Sequence, residues 1–184
     1  MFIQTEDTPN PDTLKFMPGD TVLKTGSVDF SNAESSVSSP LATRLFKIEG
    51  VSRVFLSSDF ISVTKESALE WNTLKPSILT GIMEHYSSGL PALNTEADIT
   101  EDNSAEDTET IKQIKDLLET RVRPAVAMDG GDISFCSFEA GVVTLQMKGA
   151  CAGCPSSTAT LKMGIENMLR HYIPEVTEVK AAEL

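Results

Sequence analysis

The sequence lacks any run of apolar residues that approaches the ~20 needed to cross a bilayer as a helix. It also lacks the start of a secretory signal, because Glu6 and Asp7 stand where a basic region and an apolar run would be needed. The Arg-rich, acid-poor character of an organelle transit peptide is missing too. We therefore expect an unexported protein that makes no membrane contact.

Basic residues are scarce: Lys and Arg number 15 against 27 Asp and Glu, for a net charge of −12. Without a basic stripe to neutralise phosphates, nucleic acid is not an expected partner. The acidic excess is concentrated in residues 94–110, which carry seven acids, no base and, in Ile99, one large apolar residue. Such a segment buries too little surface to offset its ordering entropy, so we predict a flexible acidic linker whose last residues begin the next helix.

Cysteine is also scarce, with three in the whole chain and none in residues 1–93. In an unexported chain this number does not indicate a disulfide framework. Two of the three, Cys151 and Cys154, form a close pair. Because residues 1–93 contain no cysteine, the first half of the chain cannot supply thiolates to a metal.

The remaining pattern predicts an α+β protein with two small domains, residues 1–93 and 111–184, joined by the acidic linker 94–110. In the first domain we predict a strand at TLKFM, a helix opening at Pro40, a hairpin turning at Ser58-Asp59, and a long helix from Trp71 to Ser88. In the second we predict a helix kinked at Pro124, a hairpin with a three-residue loop at 139–141, a Cys-x-x-Cys loop, a helix over 159–172 and a last strand.

The chemistry is expected in the loop GACAGCPSS, residues 149–157, between a strand end and a helix start. Small residues between Cys151 and Cys154 allow both sulfurs to converge, and the flanking glycines allow a tight loop. The free amides of a helix N-terminus stabilise negative charge, so we expect a lowered pKa for both thiols. Two soft anionic ligands on one loop suit a thiophilic metal.

A single Cys-x-x-Cys leaves several functions open. Structural zinc needs four ligands, and the remaining candidates, Cys136, His85 and His171, are not at zinc-site spacing; we expect Cys136 to be a buried apolar residue and His171 to be structural. A thiol–disulfide oxidoreductase is the main alternative, although its fold places a βαβ unit before the motif, whereas a hairpin precedes this one. Iron–sulfur clusters take four cysteine thiolates, and two copies of this chain would supply them.

Several stretches resemble a known family. MDGGD (128–132), GACAGCPSSTATLK (149–162) and NMLRHYIPEV (167–176) resemble the NifU-like C-terminal domain, and FIQTEDTPNPDTLKFMPG (2–19), RLFKIEGVSRVF (44–55) and WNTLKPSI (71–78) resemble the Nfu N-terminal domain. The resemblance implies a scaffold or carrier, not an enzyme, that binds a 4Fe–4S cluster through Cys151 and Cys154. It implies a homodimer joined through the cluster, and as further partners upstream assembly proteins and apo iron–sulfur client proteins.

Two questions remain open within that resemblance. Since no transit peptide precedes Met1, we expect the bacterial cytoplasm, with the mitochondrial matrix after processing as the alternative. The N-terminal domain is expected either to stabilise the protein or to dock client proteins while the linker lets the cluster-bearing half swing over.

Overall fold

The structure is a computed structural model that describes residues 1–94, 107–153 and 155–182, without the side chains of residues 155–157. The chain divides into two compact units, Met1–Glu101 and Asp102–Leu184. This division falls inside the predicted acidic linker. Most of that linker, residues 95–106, lies outside the described residues, and so does Cys154.

The first unit contains a five-stranded antiparallel sheet with strand order β1-β2-β5-β4-β3. The predicted TLKFM strand and the predicted hairpin are confirmed, with Leu56 opposite Ile61 across the turn. The two edge strands, β1 and β3, were not predicted. The strands are β1 (Gln4–Asp7), β2 (Thr13–Met17), β3 (Val28–Phe30), β4 (Val51–Leu56) and β5 (Ile61–Lys65).

Two helices cover the apolar core of this sheet, after a 3-10 turn at Glu34–Ser38. Helix α1 (Pro40–Phe46) begins where the Ser39 hydroxyl accepts a hydrogen bond from the Ala42 amide. Helix α2 (Trp71–Ser88) has the predicted bounds and ends at Gly89, whose φ of 68° is left-handed. The fully buried side chains from helix and sheet that form this core include Leu45, Ile78, Ile82, Val54 and Val63.

The second unit opens with a helix that is interrupted where the sequence predicts a kink. Helix α3 (Glu109–Leu117) is capped by the Thr108 hydroxyl, in keeping with the prediction that the last residues of the acidic segment begin a helix. A π-helical turn, Leu118–Val122, follows, and helix α4 (Arg123–Met128) then begins with Pro124 in its first turn. The interruption suits a proline, which cannot donate a hydrogen bond to the preceding turn.

A three-stranded sheet completes this unit, in the order β6-β7-β8. The strands are β6 (Gly131–Glu139), β7 (Val142–Gly149) and β8 (Glu178–Ala181), and helix α5 (Pro155–Tyr172) connects β7 to β8, which run parallel. The prediction of a three-residue hairpin loop was wrong. Glu139 pairs with Val142, which leaves a two-residue turn in which both Ala140 (φ 49°) and Gly141 (φ 81°) are left-handed.

Within the described parts of the chain, each helix is too short or too polar to cross a membrane.

Candidate metal centre

The loop that carries Cys151 is short and held by its own backbone. Strand β7 ends at Gly149 and helix α5 begins at Pro155. The Ala150 amide donates to the Gly130 carbonyl at 3.2 Å, and the Cys151 amide donates to the Lys148 carbonyl at 3.3 Å. The Cys151 carbonyl in turn accepts from the Thr158 hydroxyl of α5 at 2.9 Å. Cys151 is therefore fixed between the sheet and the following helix.

The Cys151 side chain packs directly on Gly131, the first residue of β6. A Cβ atom at position 131 would lie 2.4 Å from Cys151 Sγ, 2.8 Å from the Lys148 carbonyl oxygen and 3.0 Å from the Cys151 amide nitrogen. The sulfur thus occupies the space that any other residue at position 131 would fill. Cys151 is 6% exposed and belongs to the apolar core of the unit.

The expected lowering of the thiol pKa is wrong for Cys151. Burial, together with the nearby carboxylates of Asp129 and Asp132, raises the pKa of this thiol to about 12. In the metal-free protein Cys151 is therefore a thiol, and a metal that binds it must displace a proton.

A partly buried ion pair lies beside this loop, and neither of its residues was among the predicted functional residues. Arg123 of α4 donates from Nε and Nη2 to the two carboxylate oxygens of Asp132, at 2.9 and 3.0 Å. The Asp132 side chain is 8% exposed and also accepts from the Ile133 amide at 2.8 Å. Asp132 lies in the MDGGD stretch, which carries part of the family resemblance. That resemblance was the sequence signal that could have identified Asp132 as a functional residue. The pair ties α4 to the β6 residue that follows Gly131.

The other candidate ligands lie elsewhere. Cys136 is exposed, contrary to its predicted burial, because it is the extra residue of a β-bulge between Phe135 and Ser137. It is five residues from Gly131, roughly 16 Å along the strand. His171 is exposed near the C-terminal end of α5, and its ring contacts Tyr172 edge-on at 5.0 Å.

His85 is buried in the first unit, on α2. Cys154, the predicted partner of Cys151, lies outside the described residues. Across residues 1–94, 107–153 and 155–182, no three His, Cys, Asp or Glu side chains form a metal-binding group. The donor that the structure does place, a cysteine sulfur on a fixed loop, is of the soft type that thiophilic metals prefer.

Comparisons with known proteins found matches to both units of the chain. The family model described as "Scaffold protein Nfu/NifU N terminal" matches residues 3–89, and the "NifU-like domain" model matches residues 114–180. NifU-like protein 4, mitochondrial, of Arabidopsis thaliana is 54% identical over 185 residues, covering 98% of this chain and 65% of the relative. The human NFU1 iron-sulfur cluster scaffold homolog, mitochondrial, is 53% identical over 181 residues, covering 98% of this chain and 71% of the relative.

The chain thus spans about two thirds of the length of these relatives. Among solved structures, the solution structure of a NifU-like protein from Saccharomyces cerevisiae is 25% identical, with a TM-score of 0.47, over 52% of this chain and 87% of that one. Both family models match in the order that the sequence predicts, and more than half of the residues are identical to those of two relatives. The chain belongs to the NifU-like (Nfu) scaffold protein family.

Proposed function

We propose that this chain is an iron–sulfur cluster carrier that binds a 4Fe–4S cluster between two copies of itself and passes the cluster to apo-proteins. Each copy contributes Cys151 and Cys154. The cluster is cargo, so the chain is a binding and delivery protein and not an enzyme. The human relative's name, iron-sulfur cluster scaffold homolog, supports this role.

The observation that carries the proposal is the position of Cys151. Its sulfur is held at the junction of β6, β7 and α5 by backbone hydrogen bonds and by contact with Gly131. The third cysteine, Cys136, is roughly 16 Å away along β6 and cannot join it. One chain therefore offers the pair Cys151 and Cys154, and a four-cysteine cluster needs a second chain.

Sharing the ligands between two chains also gives a simple route for release. Separation of the subunits halves the coordination of the cluster without unfolding either chain. The raised pKa of Cys151 acts in the same direction, because an incoming proton competes with iron for the freed sulfur. A scaffold that must give up its cargo gains from ligands that are readily protonated once they are released.

Anaerobic reconstitution of single-cysteine variants tests the assignment. Cys151→Ala and Cys154→Ala are each expected to lose the cluster, whereas Cys136→Ala is the matched control and should keep it. Iron and sulfide per chain, together with the Mössbauer spectrum, measure the outcome. A full cluster in either Cys151→Ala or Cys154→Ala would show the assignment to be wrong.

The same experiment separates the two alternatives. Structural zinc would use the same ligands, and metal analysis of protein purified without oxygen distinguishes zinc from iron. A thiol–disulfide oxidoreductase would turn over a disulfide substrate without iron. The structure gives little support to an oxidoreductase. Reactive cysteines have lowered pKa values, whereas the pKa of Cys151 is raised to about 12, mainly by burial.

Of the two expected locations, the mitochondrial matrix is the better supported. Both relatives described above are named as mitochondrial proteins. We therefore propose a mitochondrial location. Cell fractionation with an antibody to this chain tests the location: the signal should follow a matrix marker, and a purely cytosolic signal would contradict the placement.

A further inference from the structure

The ion pair between Arg123 and Asp132 brackets the segment of chain that holds the cysteine loop. Residues 124–131 lie between its two partners, and the last two of them contact the loop. The Gly130 carbonyl accepts from the Ala150 amide at 3.2 Å, and Gly131 leaves the space that Cys151 Sγ fills. A change in the distance between the two ends of this segment would therefore move the surface on which the cysteine sulfur rests.

Arg123 is suited to fixing that distance. Its forked guanidinium donates to both carboxylate oxygens of Asp132, at 2.9 and 3.0 Å, which sets the direction of the pair as well as its length. Its Nη1 donates to Glu119, four residues earlier in the interrupted helix, so the arginine is also held from the other side. A lysine at position 123 could match the charge but not the fork.

The pair also neutralises a charge that opposes the cargo. The Asp132 side chain is 8% exposed, and its carboxylate contributes to the raised pKa of the Cys151 thiol. A cluster held by thiolates is an anion, so a carboxylate this close disfavours it. Asp129 acts on Cys151 in the same direction, but from an exposed position. Of the two carboxylates, the guanidinium neutralises the buried one, whose charge is less screened by water and salt.

We propose that Arg123 is a positioning residue for the cluster: it holds Gly130 and Gly131 against the cysteine loop and neutralises Asp132 beside the cargo. Arg123 is not a ligand and acts through Asp132 and the segment that the pair brackets. This role rests on the function proposed above, since the cargo is the cluster assigned there. The positioning of the loop can nevertheless be tested in metal-free protein.

Amide hydrogen exchange of the metal-free full chain, followed by NMR, tests the positioning of the loop. Arg123→Met should speed exchange of the Ala150 amide about tenfold, because opening of its bond to Gly130 no longer has to break the ion pair. Arg123→Lys, which keeps the charge but loses the fork, should give a smaller increase. Thr108→Ala is the matched control: it removes the cap of α3 and lowers the stability of the same unit elsewhere, so the Ala150 rate should not change. An unchanged rate in Arg123→Met, or an equal increase in Thr108→Ala, would overturn the positioning role.

The reduction potential of the loaded cluster tests the effect of the charge. Arg123→Met leaves the Asp132 carboxylate without its guanidinium and should make the potential more negative, whereas Asp132→Asn should make it more positive. The double variant should return the potential close to that of the natural protein. Arg121→Met is the control, because it removes the same charge two residues away, where the guanidinium lies over the Tyr172 ring at 5.1 Å. A role confined to the stability of the fold would not produce shifts of opposite sign that cancel in the double variant.

Equal potentials in Arg123→Met and Arg121→Met, or a double variant that keeps the negative shift, would overturn the neutralising role. If Arg123→Met fails to fold or to hold a cluster, Arg123→Lys still gives the exchange rate and Asp132→Asn still gives the sign of the shift. If the natural protein takes up no cluster, the function proposed above fails. The Ala150 exchange rates then still decide whether Arg123 positions the loop.

Discussion

The position of the Cys151 sulfur depends on single neighbouring residues, above all on Gly131. The contact between Gly131 and Cys151 joins residues twenty positions apart, so sequence alone did not reveal it, although the MDGGD stretch was noted. The raised pKa of Cys151 was missed for the same reason. It depends on burial and on carboxylates from another part of the chain, whereas the helix N-terminus that suggested a lowered pKa is visible locally.

Gly131→Ala should displace Cys151 and weaken cluster binding. The new Cβ would meet the sulfur and two backbone atoms, and the backbone atoms cannot move cheaply, so we expect the second unit to lose ~1–3 kcal/mol of stability. Iron per chain after reconstitution and the unfolding temperature measure both effects. Gly164→Ala on α5 is the control, because a Cβ there meets no atom within 4 Å. Equal iron content in the two variants would show that cluster binding does not need the space at Gly131.

Asp12 should make the first unit sensitive to acid. Hydrogen bonds from Lys65, at 2.8 Å, and from Ser67 lower the pKa of Asp12 in the folded protein. The ionised Asp12 carboxylate therefore stabilises the fold at any pH above the pKa that Asp12 has in the unfolded chain. This stabilisation is lost as the pH falls through the lower pKa of the folded protein. The chain's one tryptophan, Trp71, donates to the Pro11 carbonyl at 3.0 Å and reports unfolding nearby. The stability difference between the natural protein and Asp12→Asn, followed by Trp71 fluorescence, should be constant above about pH 5 and shrink below it. A difference that does not change with pH would exclude this role.

At the scale of elements, local signals predicted most of the helices and strands. Helix α2 was predicted with the bounds that it has, since its apolar spacing and a terminal glycine are both local. Edge strands β1 and β3 were missed because they are short, and β1 is mostly exposed, without an apolar alternation. Strand β8 was predicted, but its parallel pairing with β7 depends on the helix between them. The exposure of Cys136 depends on a bulge that no local pattern marks.

The turn between β6 and β7 offers a stabilising change. Ala140 is left-handed, with φ 49°, and a two-residue turn of this kind favours Asn followed by Gly. Ala140→Asn should therefore stabilise the second unit by ~0.5–1 kcal/mol. Calorimetry measures the unfolding of both units, and Trp71 fluorescence reports the first unit alone. The change is therefore expected in the calorimetric transition that the fluorescence does not follow. Gly141→Ala is the opposing control and should destabilise, because its Cβ would lie 2.7 Å from the Thr177 hydroxyl oxygen. A lower unfolding temperature for Ala140→Asn would contradict the turn assignment.

At the scale of the whole molecule, composition predicted the division into two units. The chain divides inside the acidic segment 94–110, and the two family models match on either side of it. The flexibility of that segment stays a prediction. The presence of the Cys-x-x-Cys loop in only one unit separates cluster binding from whatever the first unit contributes.

Deletion of residues 1–93 should leave cluster assembly intact and slow cluster transfer to a client. The deleted part has no cysteine, and the backbone hydrogen bonds described above for the cysteine loop are made within the second unit. Transfer rates to a purified apo 4Fe–4S protein, with and without the deletion, test whether the first unit docks clients. Unchanged rates would favour a purely stabilising role.

One cluster is proposed to join two chains, and native mass spectrometry of anaerobically loaded protein can detect that assembly without intermediate steps. We expect a species with the mass of two chains and one 4Fe–4S cluster, which dissociates into monomers when the cluster is removed. A cluster carried by a single chain, or an iron-loaded dimer that survives the double replacement of Cys151 and Cys154 by alanine, would contradict it.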